Sequence, residues 1–157
     1  MNPTRTLTLS VLTLIVAIFL ACTAGPQPEA EKPDAAIESS RDVVFVHISH
    51  GPEDPHRVLM ALKMAEMMAA DRDVLVYFDI QGVHAVLADA PNLEYAQFPG
   101  SHEQVGRLLE MGIPLYACPG CLEAAGKTPE DLRGGIQVAN KDAFFDFTDG
   151  RILTLDY

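Results

Sequence analysis

Along residues 42–157, short unbroken apolar runs alternate with longer stretches of helical period. Val43-Val44-Phe45-Val46-His47-Ile48 and Val74-Leu75-Val76-Tyr77-Phe78 are β-branched and aromatic with no wet face, the pattern of strands in a buried parallel sheet. Ile113–Ala117, Gly135–Ala139 and Arg151–Leu155 are expected to be the third, fourth and fifth strands. Between the first two, Asp54 and Pro55 supply an N-cap and a first-turn proline for a helix over Pro55–Ala70. A second helix is predicted over Ser101–Met111, with Ser101 and Gln104 as a capping box and Gly112 as terminator. Shorter helical segments are predicted at Gly82–Leu87, after Cys121, within Lys127–Leu132 and over Lys141–Phe147. Strands alternating with helices imply an α/β fold, a parallel sheet covered on both faces.

The helix from Pro55 is apolar on more than one side. Val58, Leu62, Ala65 and Ala69 form one stripe, and Met60, Met64, Met67 and Met68 cover much of a second. One sheet cannot cover both, so self-association is expected.

The first 21 residues stand apart. One cation, Arg5, precedes the apolar stretch Leu7–Leu20, which is short for a spanning helix and interrupted by Thr8, Ser10 and Thr13; this is the form of an export signal. Phe19-Leu20-Ala21-Cys22 resembles a bacterial lipobox, which makes Cys22 the expected lipidation site and new N-terminus, with Phe19 as the departure from that pattern. Thr23 rather than Asp after the cysteine favours the outer membrane in a diderm cell. Residues 22–41, rich in Pro and acidic residues, are expected to form a disordered tether reaching about 25 Å, and residues 42–157 a single domain. The chain is thus expected to be a lipoprotein of the cell envelope, facing the periplasm.

Charge narrows the partners. Eleven basic residues face 22 acidic ones, a net charge of −11, so nucleic acid is excluded as an expected partner. No cofactor-binding motif stands out, and no cofactor or resident metal is expected.

The chemistry collects where strands end, because ligand sites in parallel α/β sheets lie beyond the carboxyl ends of the strands. Those ends supply Ser49-His50-Gly51, Asp79-Ile80-Gln81-Gly82 and Cys118-Pro119-Gly120-Cys121. A thiol between a strand and a helix start is biased toward thiolate, the nucleophilic form. Cys118 and Cys121 are the leading candidates, with His50 as a proton donor or thiolate partner and Asp79 to orient it. His47, inside an apolar run, reads as a satisfied core histidine, and the methionines as packing rather than copper ligands.

Gly51-Pro52-Glu53-Asp54-Pro55-His56-Arg57, then Ala61-Leu62 and Ala65, with Cys118-Pro119-Gly120-Cys121-Leu122-Glu123-Ala124-Ala125-Gly126 and Asp131-Leu132, resemble the DsrE/DsrF-like family of sulfur-relay proteins. The resemblance covers nearly all of residues 42–157. It implies a three-layer α/β/α fold, a five-stranded parallel sheet of order 4-3-2-1-5, and trimers or hexamers. Cys118 stands eight residues before Gly126, as the family's persulfide-carrying cysteine stands before a glycine, which implies the carrier role for Cys118 and that of second thiol for Cys121. The implied partners are a sulfur donor or acceptor protein, or a small polysulfide. Export and a private tether depart from the cytoplasmic complexes of the sulfur-relay members.

Three other functions compete with that of a persulfide carrier. A thiol–disulfide oxidoreductase would use the same pair, although here the motif follows the third strand, reads Pro-Gly and has no Trp in the chain. A soft-metal module would need more ligands than two thiols, and a purely structural disulfide would be unreactive.

Overall fold

The computed structural model describes residues 42–142 and 147–157. The expected signal segment, the tether and Cys22 lie outside the described residues. So do residues 143–146 of the expected Lys141–Phe147 helix, of which Lys141 and Asp142 are helical.

Five strands, β1 (Val43–Ile48), β2 (Asp73–Phe78), β3 (Leu115–Ala117), β4 (Gln137–Val138) and β5 (Ile152–Asp156), form one parallel sheet in the order 4-3-2-1-5. Helices α1 (Pro55–Met68), α2 (Ser101–Glu110) and α3 (Pro119–Ala124) carry the chain between strands, with 3₁₀ turns at Gly82–Ala85 and Pro129–Asp131. The α/β reading and the strand order hold. The third and fourth strands are shorter than the apolar runs suggested, because Ile113 and Ile136 are buried in the connections rather than paired in the sheet.

Strand alternation sorts the side chains into two sets. Val44, Val46, Ile48, Val74, Val76, Phe78, Leu115 and Ala117 join Val58, Leu59 and Leu62 of α1 and Val105 and Leu108 of α2 in one core cluster. Val43 and Leu75 are buried too, yet stand outside that cluster, on the opposite face. Met60 and Met67 of α1 are 38% and 56% exposed, whereas Met68, expected on the same side, packs against the core, so only part of the second apolar side is uncovered in the single chain.

The caps follow the local chemistry with one exception. Asp54 accepts from Arg57 N at 3.2 Å and Pro55 opens α1, as expected. Ser101 does not cap α2; Gly100 stands at the N-cap, and the side chain of Asn92 accepts from His102 N at 3.0 Å. The Ser101 hydroxyl instead accepts from Leu93 N at 2.8 Å, and Gln104 Nε2 donates to Pro99 O at 2.8 Å. Both side chains are spent tying the preceding loop to the body, which overrides the capping-box pattern. Gly112 (φ +75°) and Gly126 (φ +68°) end α2 and α3 with paired bonds, Ile113 N to Leu108 O and Lys127 N to Leu122 O among them. These are Schellman closures, available to glycine at little cost.

Candidate functional site

The carboxyl ends of β1, β2 and β3 are knitted by backbone. Asp79 N donates to Ile48 O at 3.1 Å, Gln81 N to Ser49 O at 3.1 Å, and Cys118 N to Phe78 O at 2.8 Å. The loops interlock at two glycines: a Cβ on Gly51 would meet Gln81 O at 2.1 Å, and one on Gly82 would meet Ile48 O at 2.1 Å. The loop after β1 and the loop carrying Asp79 are therefore set against each other with no side chain between them.

Ile80 has φ +49°, a conformation that costs a β-branched residue appreciable strain and that recurs at functional sites. Its consequence is local. The Ile80 N–H points at Cys121 Sγ, 3.1 Å away, while the side chain stays 59% exposed.

Cys118 is the N-cap of α3, and its sulfur accepts from Cys121 N at 3.3 Å. Both cysteines are half-buried free thiols. Their acidities diverge. Burial works against the Cys118 thiolate, but hydrogen bonds from the Tyr77 hydroxyl, the Cys121 thiol and the backbone of Cys121 and Gly120 outweigh it and hold its pKa below the usual thiol value. Burial pushes the Cys121 pKa up, Cys118 adds to the rise, and the Ile80 N–H only partly offsets them. The Tyr77 hydroxyl is itself held protonated, by burial first and by the neighbouring Cys118 next, so it serves as a donor.

A row of polar residues crosses the sheet on the face away from the α1–α2 core. By register Asp156 of β5, His47 of β1, Tyr77 of β2 and Tyr116 of β3 stand side by side. His47 and Tyr77 stack with ring centroids 5.9 Å apart. His47 Nδ1 lies 2.8 Å from Asp156 Oδ1. Its Nε2 is 2.9 Å from Asp79 Oδ1 but off the line of a hydrogen bond, so that contact is Coulombic. Burial alone would lower the His47 pKa; the two carboxylates outweigh it and raise it.

This arrangement corrects two expectations. His47 is not a core histidine: it is half-buried and clamped between two carboxylates, one residue from the strand end. Asp79 does not orient His50; it faces His47. The His50 Nε2 accepts from Arg57 Nη1 at 2.7 Å, which leaves Nδ1–H to face Glu53 Oε1 at 3.2 Å. His50 thus belongs to the start of α1, where Glu53 also accepts from Gly51 N at 2.9 Å. Tyr77 and Asp156 were missed. The signal for Tyr77 was its place one residue before the end of β2, the same place His47 has on β1.

Beside the thiols lies a cavity of about 320 Å³ lined by Ile80, Gln81, His84, Cys121, Ala124 and Ala125. Cys118 is not in its wall. Among the described residues no cluster of His, Cys, Asp and Glu could hold a metal ion, and no helix is long and apolar enough to cross a membrane.

A parallel sheet of order 4-3-2-1-5 with a pair of cysteines beyond the end of β3 defines the class as a five-stranded α/β protein with thiols at a strand end. The chain matches the DsrE/DsrF-like family over residues 42–151 and belongs to it, a family associated in general with sulfur relay. Two solved structures share the fold. MTH1491, a protein of unknown function from Methanobacterium thermoautotrophicum, is 20% identical, with a TM-score of 0.52 over 73% of this chain and 99% of its own. The YchN protein of E. coli is 15% identical at the same TM-score and the same coverage. No curated protein matches the chain.

Proposed function

We propose that this protein is an exported, membrane-tethered sulfur carrier that holds sulfane sulfur as a persulfide on Cys118. The observation that carries the reading is the asymmetry of the pair: the sulfur of Cys118 accepts hydrogen bonds that favour its thiolate, and that of Cys121 is driven the other way by burial. The Cys118 thiolate attacks a sulfane sulfur and displaces the remainder of the donor as its thiolate or hydrosulfide. Cys121 then attacks Cys118 Sγ and expels hydrosulfide, leaving a Cys118–Cys121 disulfide. The sulfane sulfur is reduced, and the two cysteine sulfurs are oxidised by the same electron pair. The tether and a lipid on Cys22 hold the body at the periplasmic side of a membrane, and the open apolar side of α1 joins copies into a trimer or hexamer.

Intact mass after incubation of the reduced protein with polysulfide tests the reading. Addition of one sulfur atom, lost in Cys118→Ser and persistent in Cys121→Ser, is the expected result. Loss of two hydrogens in the parent with no sulfur addition in Cys121→Ser would instead make the pair a thiol–disulfide oxidoreductase, a reading favoured by the hydrogen bond between the two thiols. No change in mass would leave a structural bridge.

A further inference from the structure

The two sulfurs face different surroundings. Cys118 is turned toward Tyr77, whereas Cys121 lines the cavity with Ile80, Gln81, His84, Ala124 and Ala125. A molecule that enters this space meets Cys121 and not Cys118. The cavity's volume of about 320 Å³ suits a low-molecular-weight thiol rather than a protein loop. Gln81 and His84 also line a neighbouring, wider cleft of about 510 Å³ that reaches Lys127 and Asp89.

We propose that a small external thiol enters this cavity and reopens the Cys118–Cys121 disulfide by attacking Cys121. The proposal rests on the carrier reading only for where the disulfide comes from. The incoming thiolate forms a bond to Cys121 Sγ while the Cys118–Cys121 bond breaks, and its electron pair leaves on Cys118 as the thiolate. A second small thiolate attacks the external sulfur of this mixed disulfide. That step releases the oxidised thiol dimer and returns Cys121 as a thiolate, which takes up a proton. Two external thiols are oxidised for one disulfide reduced.

Access and leaving-group chemistry agree on this direction. In thiol–disulfide exchange the more acidic thiol is the better leaving group. Tyr77 and the backbone N–H of Cys121 stabilise the sulfur that departs, Cys118. Attack on Cys118 would have to expel Cys121, the sulfur whose thiolate burial disfavours. The pair therefore divides its labour: Cys118 is the nucleophile of the reduced protein, and Cys121 is the electrophile of the oxidised one.

The test needs no sulfane sulfur, so it runs whether or not persulfide loading succeeds. The full protein is oxidised with diamide, exposed briefly to free cysteine, quenched in acid, alkylated and mapped by mass. The expected product carries the cysteine adduct on Cys121 and the alkyl label on Cys118, in excess over the reverse by about tenfold. A dominant adduct on Cys118, an even split, or a pair that diamide does not bridge overturns the proposal. Gln81→Glu supplies the second arm. Residue 81 is exposed, so the variant folds, and the added carboxylate at the cavity wall slows thiolate entry by about threefold at low salt. An unchanged reopening rate excludes the cavity as the route.

Discussion

Gly82→Ala puts a methyl group where two loops already touch. The added Cβ would lie 2.1 Å from Ile48 O and 3.0 Å from Ile48 C, so one of the two segments must retreat by about 1.3 Å or more to reach ordinary contact. Ile48 O cannot yield freely. It ends a fully buried strand residue and accepts the 3.1 Å bond from Asp79 N. Overpacking of this kind costs about 1–3 kcal/mol, and a weakened backbone hydrogen bond adds about 1 kcal/mol, for a total of about 3 kcal/mol. For a domain of roughly a hundred residues that lowers the melting temperature by about 12 °C. Thermal unfolding followed by circular dichroism measures it. Gly106→Ala is the internal control: a Cβ there meets nothing within 4 Å in the middle of α2, so this substitution raises stability by about 0.5–1 kcal/mol. Any retreat of the Asp79–Gln81 loop also withdraws the Ile80 N–H from Cys121. A Gly82→Ala protein that melts within about 2 °C of the parent would refute the reasoning.

Four further outcomes are expected. Tyr77→Phe removes the hydroxyl that stabilises the Cys118 thiolate, so iodoacetamide should label Cys118 more slowly at neutral pH with the fold intact by circular dichroism; unchanged labelling would reject the role of Tyr77. The raised pKa of His47 means that its protonated form is favoured in the folded protein, so this stabilisation is full below its unfolded pKa of about 6.5 and is lost as pH rises through the folded value. His47→Gln should therefore lose more stability against the parent at pH 6 than at pH 9, in denaturant titrations at the two values. Cys22→Ser should move the protein from the membrane fraction to the soluble one and abolish acyl mass. Light scattering on residues 42–157 should give a trimer or larger, and a monomer at tens of micromolar would remove the interface reading of Met60, Met64 and Met67.

β1 and β2 were legible because burial on both faces leaves unbroken apolar runs, and the α1 start because Asp54 and Pro55 act within one turn. Both signals are local. Ser101 misled for the opposite reason: its hydroxyl is claimed by Leu93, eight residues upstream, in a loop with no periodicity to read. The thiol pair was visible as a motif at a strand end, but the groups around it were not. His47 was surrounded by apolar neighbours in sequence, and its partner Asp156 lies 109 residues away on a strand that pairs with β1 only in the folded sheet. Tyr77 and Asp79 carry no spacing signature toward Cys118. What brings them together is parallel register, which sets residues of similar depth on neighbouring strands side by side however far apart they lie in the chain.

That β5 pairs with β1 has a consequence for how the molecule is made. β5, synthesised more than a hundred residues after β1, completes its neighbourhood, so a chain stopped short of Ile152 has already written β1 but cannot cover its outer edge. Until then β1 presents a row of unpaired N–H and C=O groups in a strongly apolar segment, a template for pairing with other chains. Contacts of such long sequence separation also form slowly. Folding is thus tied to the arrival of β5, and the acidic clamp on His47 appears only once Asp156 is in place.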